Sequence, residues 1–289
     1  MHRPLSTIAQ RVVSRVSSWW WSQWFVLGRL PLVREWRGRQ LRRLAPLAGG
    51  RPRGTAIVRY YWERFLERHR ADVRGRCLEI GSTATLTRIG GGAILRAEAL
   101  DQAPRDGVDV VVDLSRADAL PGDVYDCFVI PFTMHFIYNS EAALYHAVRL
   151  VKPGGVLLVN FPCVEYYGAD GLDMGTGQPL FVFWWFTPLH VQNLLRRIGL
   201  GTGDFELTID GNLFSRVAYQ MNMTAEELTS RERNHRDPGH PLLISVRIVK
   251  PAGWHPEPPA WREPWLPATT PIAWNAATGH YPPQMTAAD

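Results

Sequence analysis

From Arg76 to Cys163 one pattern recurs: a short, largely apolar run that does not alternate and that stops at an acid, a polar residue or a glycine. CLEIG, AILRAEAL, VDVVVDL, DCFVIPFTMHFI and VLLVNFP are its instances. Uninterrupted apolar runs suit strands buried on both faces, which lie parallel in a sheet with helices above and below. Such open α/β sheets bind ligands outside the carboxyl ends of the strands, where the strand order reverses. The residues at which each run stops are therefore the candidates for function.

The first run, Cys77 to Ile80, turns polar at Glu79 and breaks at Gly81, where the missing side chain lets a ligand approach the backbone. The following loop, Ser82 to Thr87, lacks the G-x-G-x-x-G spacing that holds a pyrophosphate against a helix N-terminus, so a dinucleotide is disfavoured. Glu79 reads as a residue of the ligand region or as a cap or partner for a nearby arginine. Two acids, Glu98 and Asp101, compete to accept ribose hydroxyls at the end of the second strand. At the third, Asp113 and Leu114 offer a carboxylate and a backbone N–H to a nucleobase edge, unless Asp113 only caps the next turn. The fourth delivers Thr133 and His135. His135 serves as a general base or as a structural hydrogen-bonding group, since histidine does both. Lys152, Pro153, Gly154 and Gly155 stop a helix before the fifth strand.

CLEIG with Glu98, VVVDLSRAD, YDCFVIPFTMHFI and LVKPGGVLLVNFP resemble, in this order, the motifs of class I S-adenosylmethionine (SAM)-dependent methyltransferases of the type 11-like kind. The likeness covers about Arg76 to Pro162 and extends more loosely through FELTIDGN and ISVRIVKP. FWWFTPLHVQNLL and DGNLFSRVAYQMNMTAEEL further resemble a bacterial subgroup associated with glycan and glycosylated-metabolite pathways. The resemblance implies a Rossmann-like α/β fold: a mostly parallel seven-stranded sheet with helices on both faces, an N-terminal helical arm and an irregular C-terminal tail. It implies SAM as cofactor, with Glu79, Gly81 and Ser82 near the methionine portion, Glu98 at the ribose, Asp113 and Leu114 at the adenine, and Thr133 and His135 lining the methyl-donor side. The first loop departs from the family pattern: after Gly81 no glycine follows until Gly90, so the amino-acid end of the cofactor is expected to be held differently.

Residues 1–76 hold seventeen arginines and no lysine against four acids, an excess of +13 in a chain of net charge +5. Trp19, Trp20, Trp21, Trp24, Trp36, Tyr60, Tyr61 and Trp62 are interleaved with them. The mix suits nucleic acid, anionic lipid or a phosphorylated acceptor, or tryptophans packed on the core with solvated arginines. No RNA-binding motif accompanies the charge, which weighs against a nucleic-acid partner. The longest apolar stretch, Trp19 to Gly28, is too short to span a bilayer and no signal-cleavage site follows it. Cys77, Cys127 and Cys163 lie on expected inner strands with no disulfide or zinc spacing. The expectation is a cytoplasmic protein, with peripheral membrane contact through the arm as an alternative.

Residues 1–70 then form the basic helical extension, with an amphipathic helix from Thr55 to Arg70; residues 71–251 form the methyltransferase domain; 252–289 form a Pro- and Trp-rich tail on the core. Within the domain, 164–188 is a long insertion after the fifth strand, where loops commonly carry function. Glu165 and Tyr166 join His135 as candidate bases, and Tyr167, Asp170, Asp173, Trp184 and Trp185 as acceptor-binding residues. Asp170 and Asp173 orient sugar hydroxyls or hold a divalent cation; no metal-ligand signature is present. Thr187-Pro188 opens a helix, which makes His190 structural. The expected reaction is methylation of an acceptor hydroxyl, on a saccharide or glycosylated metabolite. The alternatives are a natural-product phenol, amine or carbon, an RNA acceptor, or a SAM-binding module without chemistry.

Overall fold

Seven strands form one sheet: β1 (Gly75–Ile80), β2 (Ile94–Asp101), β3 (Val110–Val111), β4 (Tyr125–Ile130), β5 (Val151–Pro162), β6 (Phe205–Asp210) and β7 (Leu243–Val249). Their order is β3-β2-β1-β4-β5-β7-β6, parallel from β3 to β5, with β7 antiparallel to both its neighbours. A doubly wound parallel sheet closed by one antiparallel strand is the Rossmann-like class I methyltransferase fold. The computed structural model describes residues 46–50, 53–164 and 181–264, with Leu30 and Leu32. Most of residues 1–52, with Trp19, Trp20, Trp21, Trp24 and Trp36, lies outside the described residues.

The strands alternate their side chains between two apolar layers, as a period of two requires. Leu78, Phe128, Ile130, Leu157, Val159 and Val246 point to one face, covered by α3 (Ser140–Leu150) and α4 (Pro188–Arg197). Cys77, Cys127, Val129, Leu158 and Leu243 point to the other, covered by α1 (Ile57–Arg68), α2 (Ala84–Gly90) and α5 (Leu213–Gln220). The expected helix of Thr55 to Arg70 is α1, which buries Ile57, Tyr61 and Phe65 on one stripe. All three cysteines are buried and free. Local chemistry sets the helix starts: Thr187 accepts from His190 N at 3.2 Å, with Pro188 in the first turn. Asn212 and Ser215 close a reciprocal capping box on α5.

Both lysines of the chain, Lys152 and Lys250, sit where α3 passes into β5 and are engaged. Lys152 pairs with Asp126 at 2.7 Å. Lys250 is buried, donating to Asp123 and to the carbonyls of Arg149 and Val151 at 2.5, 3.1 and 2.9 Å. Residues 251–264 carry no helix or strand. They begin by inserting Trp254 into the core, where its indole donates to Ile198 O at 2.9 Å. Among the described residues no helix is long and apolar enough to cross a membrane.

Candidate active site

The carboxyl ends of β1, β2, β3 and β4 open on one cavity of about 650 Å³, within the range of small-molecule and cofactor sites. Gly81 forms its floor at the end of β1, with φ +85°, and its N–H donates to Leu100 O at 2.8 Å, prolonging the β1–β2 ladder by one bond. A Cβ there would come within 3.3 Å of the Arg105 guanidinium. Asp101 ends β2 on the cavity wall, accepting from Ala103 N at 3.2 Å and Arg105 Nε at 2.9 Å. Arg105 also donates to Gly81 O at 2.7 Å, tying the first two strand ends together.

Asp113 and Leu114 follow β3 on the same wall. One oxygen of Asp113 accepts from Ser115 N and Oγ at 2.9 and 2.8 Å, so the carboxylate caps the turn at Leu114–Ala119 while its other oxygen remains for a ligand. Past β4, Phe132 adopts φ +44°, a left-handed conformation costly for a bulky residue. Asn160, fully buried on β5, holds it there by accepting Phe132 N at 2.9 Å. Phe136, Tyr138, Phe181 and Phe183 add an aromatic rim beside Thr133, whose hydroxyl donates to Pro131 O at 2.7 Å.

Glu98 does not line this cavity. It lies three residues before the end of β2, roughly 10 Å along a strand, and is buried between Arg76, at 2.6 Å, and Arg96, at 3.0 Å. The strand-end position belongs to Asp101, its competitor in the sequence.

His135 is not on the wall either. Met134–Phe136 is a single 3₁₀ turn, in which residues three apart share a face. Thr133 and Phe136 therefore face the cavity, and the His135 ring turns inward against Phe136, 1% exposed. Burial pushes its pKa down to about 3, so the imidazole is neutral and a weak base. Its backbone carbonyl does the visible work: it accepts from Phe183 N at 2.9 Å and pins the segment that carries Phe181 and Phe183.

Trp184 stands behind the rim, its indole donating to the carbonyls of Ile137 and Tyr138 at 3.0 Å each, and Trp185 is 64% exposed. The phenylalanines beside these tryptophans, not the tryptophans, meet the cavity. Ser82 is exposed and off the wall. Glu165, Tyr166, Tyr167, Asp170 and Asp173 lie outside the described residues. Among the described residues no group of three or more His, Cys, Asp or Glu could hold a metal ion. The residues not singled out from sequence include Arg105, Phe132, Phe136, Tyr138, Phe181, Phe183 and the tail residue Trp261 on the wall, and Asn160 behind it.

Glu79 is 2% exposed and lies behind the cavity floor. It accepts Thr85 N and Leu86 N at 3.0 Å each, supplying from the preceding strand the acceptor that Thr83 does not provide to α2. Burial raises its pKa, opposed by these hydrogen bonds. Glu79→Ala is expected to cost about 2–3 kcal/mol by stranding two N–H groups. Glu79→Gln keeps an acceptor and sheds the buried charge, so it should stay within about 1 kcal/mol of the parent. Urea denaturation compares the two, and equal losses would show that the charge matters and the acceptor does not.

Neither a protein-family model nor a curated protein sequence matches the chain. Among solved structures it is similar to a SAM-dependent methyltransferase from Archaeoglobus fulgidus, at 11% identity over 66% of this chain and 94% of that one, TM-score 0.42. It is similar also to the protein of the DhpI–SAH complex, at 19% identity over 67% and 87%, TM-score 0.39. A third likeness is to the [4+2]-cyclase SpnF, at 17% identity over 72% and 87%, TM-score 0.40. At these identities and scores the likenesses assign neither an activity nor an acceptor.

Proposed function

We propose that the chain is a SAM-dependent methyltransferase whose cofactor site is the cavity at the ends of β1 to β4. The observation that carries this is the convergence of Gly81, Asp101 and Asp113 on one space large enough for an adenosyl group and a methionine chain. Asp101 would accept the ribose hydroxyls, the spare oxygen of Asp113 with Leu114 N–H would hold the adenine edge, and the Gly81 backbone would approach the methionine portion. The charged side chains on the described wall are Asp101, Arg105 and Asp113. With its one guanidinium already paired to Asp101, this wall favours a sulfonium cation over a polyphosphate.

SAM, when bound, supplies a methyl group already activated by positive charge. What remains for the protein is to align an acceptor, exclude water and take up a proton. Phe132, Phe136, Tyr138, Phe181 and Phe183 offer ring faces to an acceptor, which suits the C–H face of a sugar or a planar phenol. We take the acceptor to be a hydroxyl of a saccharide or glycosylated metabolite, with the phenol as the second reading. Glu165 and Tyr166, which follow β5 in the sequence, are proposed to take the proton in place of His135.

Calorimetric titration with S-adenosylhomocysteine (SAH), followed by transfer from methyl-labelled SAM to panels of saccharides and phenols, tests this. Saturating SAH at a hundred times its Kd is expected to add about 2.7 kcal/mol of stability. No SAH binding would sink the assignment; binding with transfer only to phenols would overturn the saccharide and keep the enzyme.

A further inference from the structure

The segment after β7 does more than cover the core. Trp254 anchors it by its bond to Ile198 O, and a second anchor follows at Arg262, whose backbone N–H and C=O bond the side chain of Asn139 at 2.9 and 2.8 Å. Between these points the chain brings Trp261 to the cavity wall that also bears Asp113, Leu114 and Ser115. The Arg116 guanidinium lies 3.4 Å from the centre of the indole ring and 3.7 Å from Glu263, so the next residue along that wall clasps the tail from behind. Trp261 Nε1 is shielded from solvent yet meets no acceptor among the described residues. A buried indole N–H ordinarily finds a partner.

We propose that Trp261 is a ligand-binding residue of this cavity, giving the ring face opposite Arg116 to a purine base beside Asp113 and its N–H to an acceptor of the same ligand outside the plane of the base. A purine nucleoside presents the two features this arrangement answers: a flat π face to stack on the indole and, outside the plane of the base, ribose oxygens that accept a hydrogen bond. A phosphate or a free sugar presents no such face. The inference rests on the cavity being the nucleoside site of the proposed methyltransferase, and it adds that the site is completed by a strap some 150 residues further along the chain than Asp113.

The test is a calorimetric titration of the full chain with SAH and, separately, with adenosine, which carries the base without the amino acid. Trp261→Leu keeps apolar bulk and removes the ring; Trp261→Phe keeps a ring and removes the donor. Trp261→Leu is expected to weaken both ligands by a similar factor, about tenfold or more, and Trp261→Phe to lose less. Asn139→Ala, which severs both bonds to Arg262 and leaves the indole intact, should weaken both in the same direction. If the parent binds SAH and Trp261→Leu binds it equally well, the role of Trp261 is overturned and the methyltransferase reading stands. If the parent binds neither ligand, both fall.

Discussion

Acidification is expected to destabilise the protein through His135, by roughly 3 kcal/mol between pH 7 and pH 4. The imidazole is buried, and burial holds its pKa at about 3 in the folded chain against 6.5 for a solvated histidine. Between those values the unfolded chain binds a proton that the folded chain refuses, so stability falls as pH drops through 6.5 and levels off near 3. Glu79 and Asp210 act in the opposite sense: burial raises both carboxyls, so the folded chain gains stability as they protonate. A variant therefore isolates the histidine. In His135→Leu, of similar volume, the loss between pH 7 and pH 4 should be smaller than in the parent by about that amount, measured by urea denaturation at each pH. Parallel pH profiles for the two proteins would show that His135 is not held neutral. The His135 ring is buried away from the cavity wall, and the backbone carbonyl of the same residue, which the substitution keeps, holds the segment that carries Phe181 and Phe183.

The second large effect is on ligand affinity. Gly81→Val should weaken SAH by about a hundredfold, because its methyls would crowd the cavity floor and the guanidinium already 3.3 Å from a Cβ. Backbone strain alone predicts no such loss, and Gly107 supplies the control. Its φ of +81° matches the +85° of Gly81, while a Cβ at Gly107 meets nothing within 4 Å. Gly107→Val should share the stability cost of a branched residue at positive φ and leave SAH affinity near that of the parent. Equal affinity losses in the two variants would remove Gly81 from the ligand floor.

The frame of the site was readable from the sequence because buried parallel strands announce themselves as apolar runs and their ends as glycines and acids. Gly81, Asp113 and Thr133 follow from that rule alone. Glu98 misled because its environment is made by Arg76 on another strand and Arg96 on its own; no local pattern tells a paired acid inside a strand from a free one at its end. His135 misled because one 3₁₀ turn decides which of four successive residues faces the cavity, and a sequence does not show whether a turn tightens. Phe181 and Phe183 stood beside two larger aromatics that drew the assignment of acceptor contact. Arg105 and Trp261 lie in no motif, and Asn160 lies inside VLLVNFP without being marked out there as a site residue. Each acquires its place from a partner distant in the chain: Asn160 from Phe132, Arg105 from Gly81, and Trp261 from Arg116.

The engagement of Lys152 and Lys250 at the join of α3 and β5 leaves this arginine-rich chain nearly silent to amine chemistry. Acylating reagents, lysine-directed cross-linkers and acetylating enzymes would find one accessible side-chain amine, on Lys152, and none close to the cavity. Guanidinium-directed reagents such as dicarbonyls would instead meet many exposed arginines, with Arg105 on the cavity wall among those they reach.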